Sequence, residues 1–255
     1  MLSDYEKKIS LGFFWESPGY YYIPPAEDAE DAVFAFKRGI PKYAGRTLNT
    51  LESVGVTDND AKIVIEYGKG VSSLTTSAIR TIENFGQACE YLFNITREKK
   101  WQLSKENICH LHSILSRDEV RHPGFFRKIN VKIEGCEEFN PPEHTALDRI
   151  FKNGFEALPA IENIPERAIA TFLFMARSQF FENANKRTAA LVMTGILISN
   201  GYYPLNIDKQ PGEFLGHIAD FYVSADATKM FALMNEMGKE QYPDYWPINP
   251  NMRSL

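Results

Sequence analysis

Cysteine is scarce in this chain of 255 residues: Cys89, Cys109 and Cys136 are an odd number at wide spacing, with no C-x-x-C pair. That excludes a disulfide framework and paired-thiol zinc or redox sites, so the thiols read as reduced and buried. His110 and His112 lie near Cys109, but neighbouring residues on a helix point in different directions, and a metal cluster there is not expected. Long apolar runs are also missing. No stretch approaches the roughly 18 apolar residues of a bilayer-spanning helix, and MLSDYEKKISLGFFWESPGYYYIPP lacks the apolar segment of a signal peptide. A cytoplasmic location without a membrane partner is therefore expected. Nor is there an excess of basic residues: 28 Lys and Arg stand against 33 Asp and Glu, a net charge of −5. Such a chain offers polyanions no general attraction, so nucleic acid is not an expected partner, and any phosphate must be held by a local site. Internal repeats and long charged blocks are absent too.

What is present reads as helix. Residues 1–70 are an expected N-terminal extension: an arm rich in aromatics and proline, one short acidic helix near 27–37, and then TDNDAKIVIEYGKG. In that stretch Thr57 is placed to cap a helix that Gly68 ends. From about 72 to 98, Leu74, Ala78, Ile82, Phe85, Cys89, Leu92 and Phe93 recur at three and four residues and predict a long amphipathic helix. Ser104 opens another, with Ile108, Leu111, His112 and Leu115 on one face, where His112 reads as a packing histidine. Further helices are expected at about 143–157, 164–180, 185–200 and 212–239, the last broken near Ser224. Between them, INVKI has strand-like alternation bounded by glycines and a double proline, which predicts a β-hairpin flap over about 125–139. The class is all-α with one small hairpin. The segment QYPDYWPINPNMRSL, within a C-terminal tail at 241–255, is again aromatic and proline-rich, suited to packing on the N-terminal arm.

The chemistry concentrates in RSQFFENANKRTAA, residues 177–190. It joins two helices through a short polar stretch, with Asn183 or Asn185 placed to cap the second and Lys186 and Arg187 in its first turn. Cations there oppose the helix dipole. Free N–H groups at a helix start, an Asn side chain and an Arg fork are what a phosphate needs. The bland reading is a capped helix carrying two solvated cations.

This segment resembles the signature of the Fic/Doc (Fido-domain) family, H-x-F-x-[D/E]-(G/A)-N-(G/K)-R, with Gln179-Phe180-Phe181-Glu182-Asn183-Ala184-Asn185-Lys186-Arg187 in register. PGFFRKINVKIEG, the following FNPP and the trailing NGYYPLNI extend the likeness over roughly 71–240, the expected Fic-like domain. The resemblance implies a Fic-type helical domain that transfers AMP from ATP to a hydroxyl of a target protein, or a phosphoryl group in the Doc branch. It makes Gln179, Asn183, Asn185 and Arg187 the catalytic positions and Ala184, Asn185, Lys186 and Arg187 the nucleotide-holding ones. Two positions depart from the pattern. Gln179 stands where the family has its histidine, and an amide does not titrate in the useful range, so it cannot be a general base. Asn183 stands where the acid holds Mg²⁺, so a weaker metal site is expected, with Glu182 beside it as a substitute. His144, the nearest histidine after the flap, is an alternative base whose bland reading is a helix-start residue. The flap residues Lys128, Ile129, Asn130, Val131 and Lys132 would dock the target by adding a strand, with Ile129, Val131 and Ile133 forming the packed face. The family's inhibitory motif, [S/T]-x-x-x-E-[G/N], fits Thr76–Asn84 incompletely in either of two registers. Glu83 is then an ordinary solvated helix residue or a glutamate that reaches Arg187. The expected partners are a nucleotide and a target protein, with a homodimer left open. The rival function is a catalytically degenerate Fic fold that regulates by binding nucleotide or protein, or serves as a toxin–antitoxin component.

Overall fold

The computed structural model describes residues 2–247, and among them the regular structure is helical. The helices are α1 (Asp4–Leu11), α2 (Ala29–Glu52), α3 (Asp58–Tyr67), α4 (Thr76–Arg97), α5 (Lys105–Leu115), α6 (Leu147–Ala157), α7 (Ile164–Ser178), α8 (Asn185–Ser199), α9 (Pro211–Ser224) and α10 (Thr228–Gln241). Short 3₁₀ turns at His144–Ala146 and Leu158–Ala160 flank α6.

Helix α8 is the axis of the fold. From Thr188 to Ile198 every residue is buried, and α2, α4, α5 and α7 pack around it. A helix apolar on all sides has to be enclosed, and the sequence ALVMTGILI supplies that property. Its few polar groups are matched from α2: the Tyr43 hydroxyl donates to the Ala190 carbonyl (3.1 Å) and accepts from Thr194 Oγ1 (2.9 Å).

Several expected boundaries coincide with the observed caps. Thr57 and Asp60 form a reciprocal capping box at the start of α3, with Gly68 in the left-handed conformation at its end. Ser104 caps α5, and Ala225, also left-handed, separates α9 from α10. Helix α2 departs from expectation, running to Glu52 rather than ending near 37, and it carries Pro41 inside it. Proline costs one backbone bond there, but Phe36, Ile40, Tyr43, Ala44, Leu48 and Leu51 continue the helical stripe into the core and outweigh it. The arm also holds an unexpected α1, capped by Ser3 and Glu6.

The arm belongs to the same hydrophobic cluster as the rest. Phe13 and Trp15 are buried, Trp15 stacks on Phe231 (4.8 Å between centroids), and its indole N–H donates to Glu166 Oε1 (2.8 Å). At Gly238 of α10 a Cβ would come 2.5 Å from the Tyr22 carbonyl, so only glycine admits the arm that closely. Trp246 meets Tyr22 edge-on at 6.2 Å, which brings the start of the tail to the arm. The rest of the tail, 248–255, lies outside the described residues.

The flap is not a hairpin. Among the described residues 117–143 contain no strand, and the only bridges pair Phe14 with Asp226 and Pro25 with Tyr202. Ile129, expected on a packed face, is exposed, Val131 is half-buried, and Ile133 alone of the three packs on the core. Two strands on their own are marginal in water. Here tight turns at Ile133–Cys136 and Cys136–Phe139 use the backbone groups that a ladder would need. Arg127 replaces the ladder. Only 3% exposed, it donates to the carbonyls of Ile129 (2.8 Å), Pro142 (2.5 Å) and Gln179 (2.6 Å), tying both ends of the excursion to the end of α7.

Candidate nucleotide site at the start of helix α8

The signature residues form the turn 179–184 between α7 and α8. Two non-glycine residues in the left-handed region bracket it, Gln179 (φ 48°) closing α7 and Ala184 (φ 56°) opening α8. That conformation costs a residue with a Cβ roughly 1–2 kcal/mol, so the surroundings have to impose it. Asn185 does much of this. Its Oδ1 accepts the Phe181 N–H (2.9 Å), while its Nδ2 donates to the Phe181 carbonyl (2.8 Å) and to Gln179 Oε1 (2.9 Å). Asn185 is therefore the first residue of α8 with its side chain turned back into the turn, and Asn183 does not cap the helix either. The cap position is Ala184, without a side-chain cap. The backbone N–H groups of Asn185, Lys186 and Arg187 have no acceptor among the described residues.

His112 holds the turn from beneath. Its ring is fully buried and stacks on Phe181 at 3.8 Å and 7°. Nδ1 accepts the Gly124 N–H (2.9 Å), which fixes the tautomer, so Nε2–H donates to the Asn183 carbonyl (3.2 Å). Burial pushes its pKa down to about 4, leaving it neutral. Sequence reading treated His112 as packing and missed this role.

The two signature cations differ sharply. Arg187 is 2% exposed, with Nη1 and Nη2 on the two Glu119 oxygens (2.8 and 2.6 Å) and Nε on Glu52 Oε1 (3.2 Å). Burial opposes its charge, but the Glu119 hydrogen bonds and the charges of Glu52 and Glu119 outweigh that and raise its pKa. Lys186 forms no ion pair among the described residues, and burial lowers its pKa. It lines a cleft of about 720 Å³ together with Gln179, Glu182, Asn183, Asn185 and Tyr222.

The remaining candidates fall as follows. Gln179 Nε2 donates to the Ala176 carbonyl (2.7 Å), so both ends of its amide are engaged. Asn183 is exposed, with its Oδ1 accepting the Ala184 N–H (2.7 Å) and its Nδ2 facing Glu119 (3.4 Å), a neutral oxygen that already carries one bond where the family pattern has an acid. Glu182 lines the cleft, but among the described residues no cluster of three His, Cys, Asp or Glu could hold a metal. His144 pairs with Asn130 (3.1 Å) at the base of the flap and does not line the cleft. Lys128, Ile129 and Asn130 are exposed, while Lys132 reaches Asn140 (2.6 Å) and also borders the cleft. Glu83 is exposed on α4, and the glutamates on Arg187 are 52 and 119. No signal in a single sequence marks those two, since they lie 135 and 68 residues from Arg187.

With this geometry in hand, residues 102–197 match the model of the Fic/DOC family. The chain carries a Fic/DOC-family domain. Its fold is similar to that of Fic-1 from C. elegans (TM-score 0.70, 14% identity, 83% of this chain and 65% of that one). It is also similar to a Fic-domain signalling protein from Bacteroides thetaiotaomicron (TM-score 0.63, 17% identity, 84% and 85%). A third likeness is to an IbpA Fic domain in complex with adenylylated Cdc42 (TM-score 0.54, 16% identity, 88% and 66%). The chain thus spans about two thirds of the C. elegans structure. No curated protein matches it significantly in sequence. No described helix is long and apolar enough to cross a membrane.

Proposed function

We propose that this chain is a nucleotide-binding protein of the Fic type that seats a phosphate at the start of α8 and, lacking a general base, acts by binding. One observation carries the reading: Lys186, without an ion-pair partner among the described residues, lines the cleft together with Asn185, at a helix start whose first N–H groups have no acceptor among those residues. Donors of this kind, on a positive helix terminus, suit an anion. AMP transfer from ATP to a protein hydroxyl is the reaction such a domain implies, and the likeness to a Fic domain bound to adenylylated Cdc42 favours it as the second reading. Proton removal is where it falls short. The Gln179 amide cannot take a proton and is locked by Asn185 and Ala176, and losing a positioned base costs about 10²–10⁴ in rate. Mg²⁺ would bring charge to a phosphate chain, and the Asn183 oxygen and the Glu182 carboxylate are the donors this turn would offer it. A target protein would meet the exposed segment 128–130.

The test is incubation of the chain with ATP and Mg²⁺, with intact mass as readout, for wild type and Gln179→His. The binding reading expects nucleotide affinity and no AMP adduct in wild type. An adduct in wild type would establish transfer, and absence of nucleotide binding would end both readings.

A further inference from the structure

A second cavity, of about 440 Å³, lies at the far end of α8, where Ser199 borders it about 20 Å along the helix from the signature turn. Its wall includes Thr96 at the end of α4, only 6% exposed, whose hydroxyl has no hydrogen-bond partner among the described residues. Buried threonines in other helices satisfy theirs on the carbonyl four residues back, Thr171 on Arg167 (2.7 Å) and Thr188 on Ala184 (2.8 Å). A buried hydroxyl left open calls for a partner. The groups around it are donors. The first turn of α2 meets the cavity at Ala29 and Glu30, whose N–H groups have no acceptor among the described residues, since Asp28 caps the Asp31 N–H (2.8 Å). Arg97 and Lys99 border it as exposed cations, and Glu98 between them is taken by Lys100 (2.8 Å). Glu30 is the one carboxylate on the wall, so two cations against one acid leave a single positive charge.

The apolar part of the wall comes from Val33 and the half-buried Trp101. Trp101 lies against α8 at Gly195, where a Cβ would come 2.5 Å from its ring, so glycine admits the indole at this place. We propose that the cavity binds a small planar carboxylate, its ring against Trp101 and Val33 and its two oxygens held by the Thr96 hydroxyl, the α2 N–H groups and the cations Arg97 and Lys99. One net positive charge matches a monoanion, a carboxylate accepts from hydroxyl, N–H and cationic donors alike, and a flat ring suits an indole wall. The proposal is independent of the nucleotide reading, since this cavity shares no lining residue with the cleft at the start of α8.

The experiment is titration of the full, isotopically labelled chain with 1-naphthoate, its neutral amide 1-naphthamide and the dianion 1-naphthyl phosphate, read by the N–H shifts of Ala29, Glu30 and Thr96 and of the Trp101 indole. Naphthoate is expected to give saturable shifts there, with naphthamide about tenfold weaker, the worth of a charge-assisted contact. Absence of saturable shifts at these groups, or equal binding of acid and amide, overturns the proposal, and tighter binding of the phosphate overturns the carboxylate class. Thr96→Val removes the hydroxyl at nearly constant shape and should weaken naphthoate about tenfold without lowering the melting temperature. A lowered melting temperature with unchanged affinity would make the hydroxyl structural and overturn its role. Should that variant fail to fold, Lys99→Gln at an exposed position is expected to weaken naphthoate about threefold and leave naphthamide unchanged. Equal effects on both would overturn the anion seat.

Discussion

The signature turn and the flap segment contact each other, yet they are held by opposite means. The turn 179–184 is held by a set of side-chain bonds from Asn185, Gln179 and His112, with Arg127 adding bonds to the Gln179 and Phe180 carbonyls. The flap, 117–143, has no ladder and relies on one buried arginine. A phosphate seat has to be preorganised, since donors that must be rearranged lose the advantage of their placement. A segment that meets other proteins can be left with exposed side chains and few internal bonds.

The largest effect expected from breaking this contrast is at Arg187. Arg187→Met leaves Glu119 and Glu52 facing each other without a cation, and removing one partner of a buried pair costs about 3–5 kcal/mol. Chemical denaturation of wild type and variant measures it, and a loss under 1 kcal/mol, on the order of a surface pair, would contradict the buried network.

His112 comes next. Its pKa of about 4 in the folded chain lies below the ordinary 6.5, so the unfolded chain binds the extra proton first. The associated stability is complete above pH 6.5 and falls as pH drops toward 4, by on the order of 3 kcal/mol at most. His112→Gln should flatten that fall between pH 6.5 and 4 relative to wild type. Of the two amides, Gln can mimic Nε2 and keep the bond to Asn183, whereas Asn mimics Nδ1 and keeps the one to Gly124. Nucleotide affinity retained better by Gln than by Asn would identify the Asn183 contact as the one that positions the seat, and the reverse order would refute it.

Arg127→Met should cost about 2 kcal/mol through its lost bonds to carbonyls and raise amide exchange across 128–142, with little change at 185–187. Equal loosening of both regions would show that the flap supports the turn. The smallest effect is expected at Ile129→Ser. Ile129 is 57% exposed, and surface changes of this kind stay within about 0.5 kcal/mol. A loss near 2 kcal/mol, by thermal melting, would mean the segment is packed after all.

How much was legible follows the range of the interactions. The helical stripes of α4 and α5, the caps Thr57 and Ser104, and the register of residues 179–187 rest on neighbours within a few positions, and sequence carries them. Helix α2 runs past the expected 27–37 to Glu52, through Pro41, because Tyr43 and Leu48 bury in the core, a tertiary gain that the local sequence does not display. The flap was read as a hairpin because INVKI alternates, although alternation does not supply a partner strand. In the site, Lys186 and Arg187 look equivalent on paper. Only the arrival of Glu52 and Glu119 from elsewhere in the chain separates the occupied cation from the free one.

The start of α8 is the proposed phosphate seat. Its most direct test is the amide chemical shifts of Asn185, Lys186 and Arg187 in isotopically labelled chain titrated with AMP. The account predicts saturable shifts concentrated at these three N–H groups and abolished by Lys186→Met. Saturating AMP with those amides unmoved, or shifts confined to another surface, would contradict it.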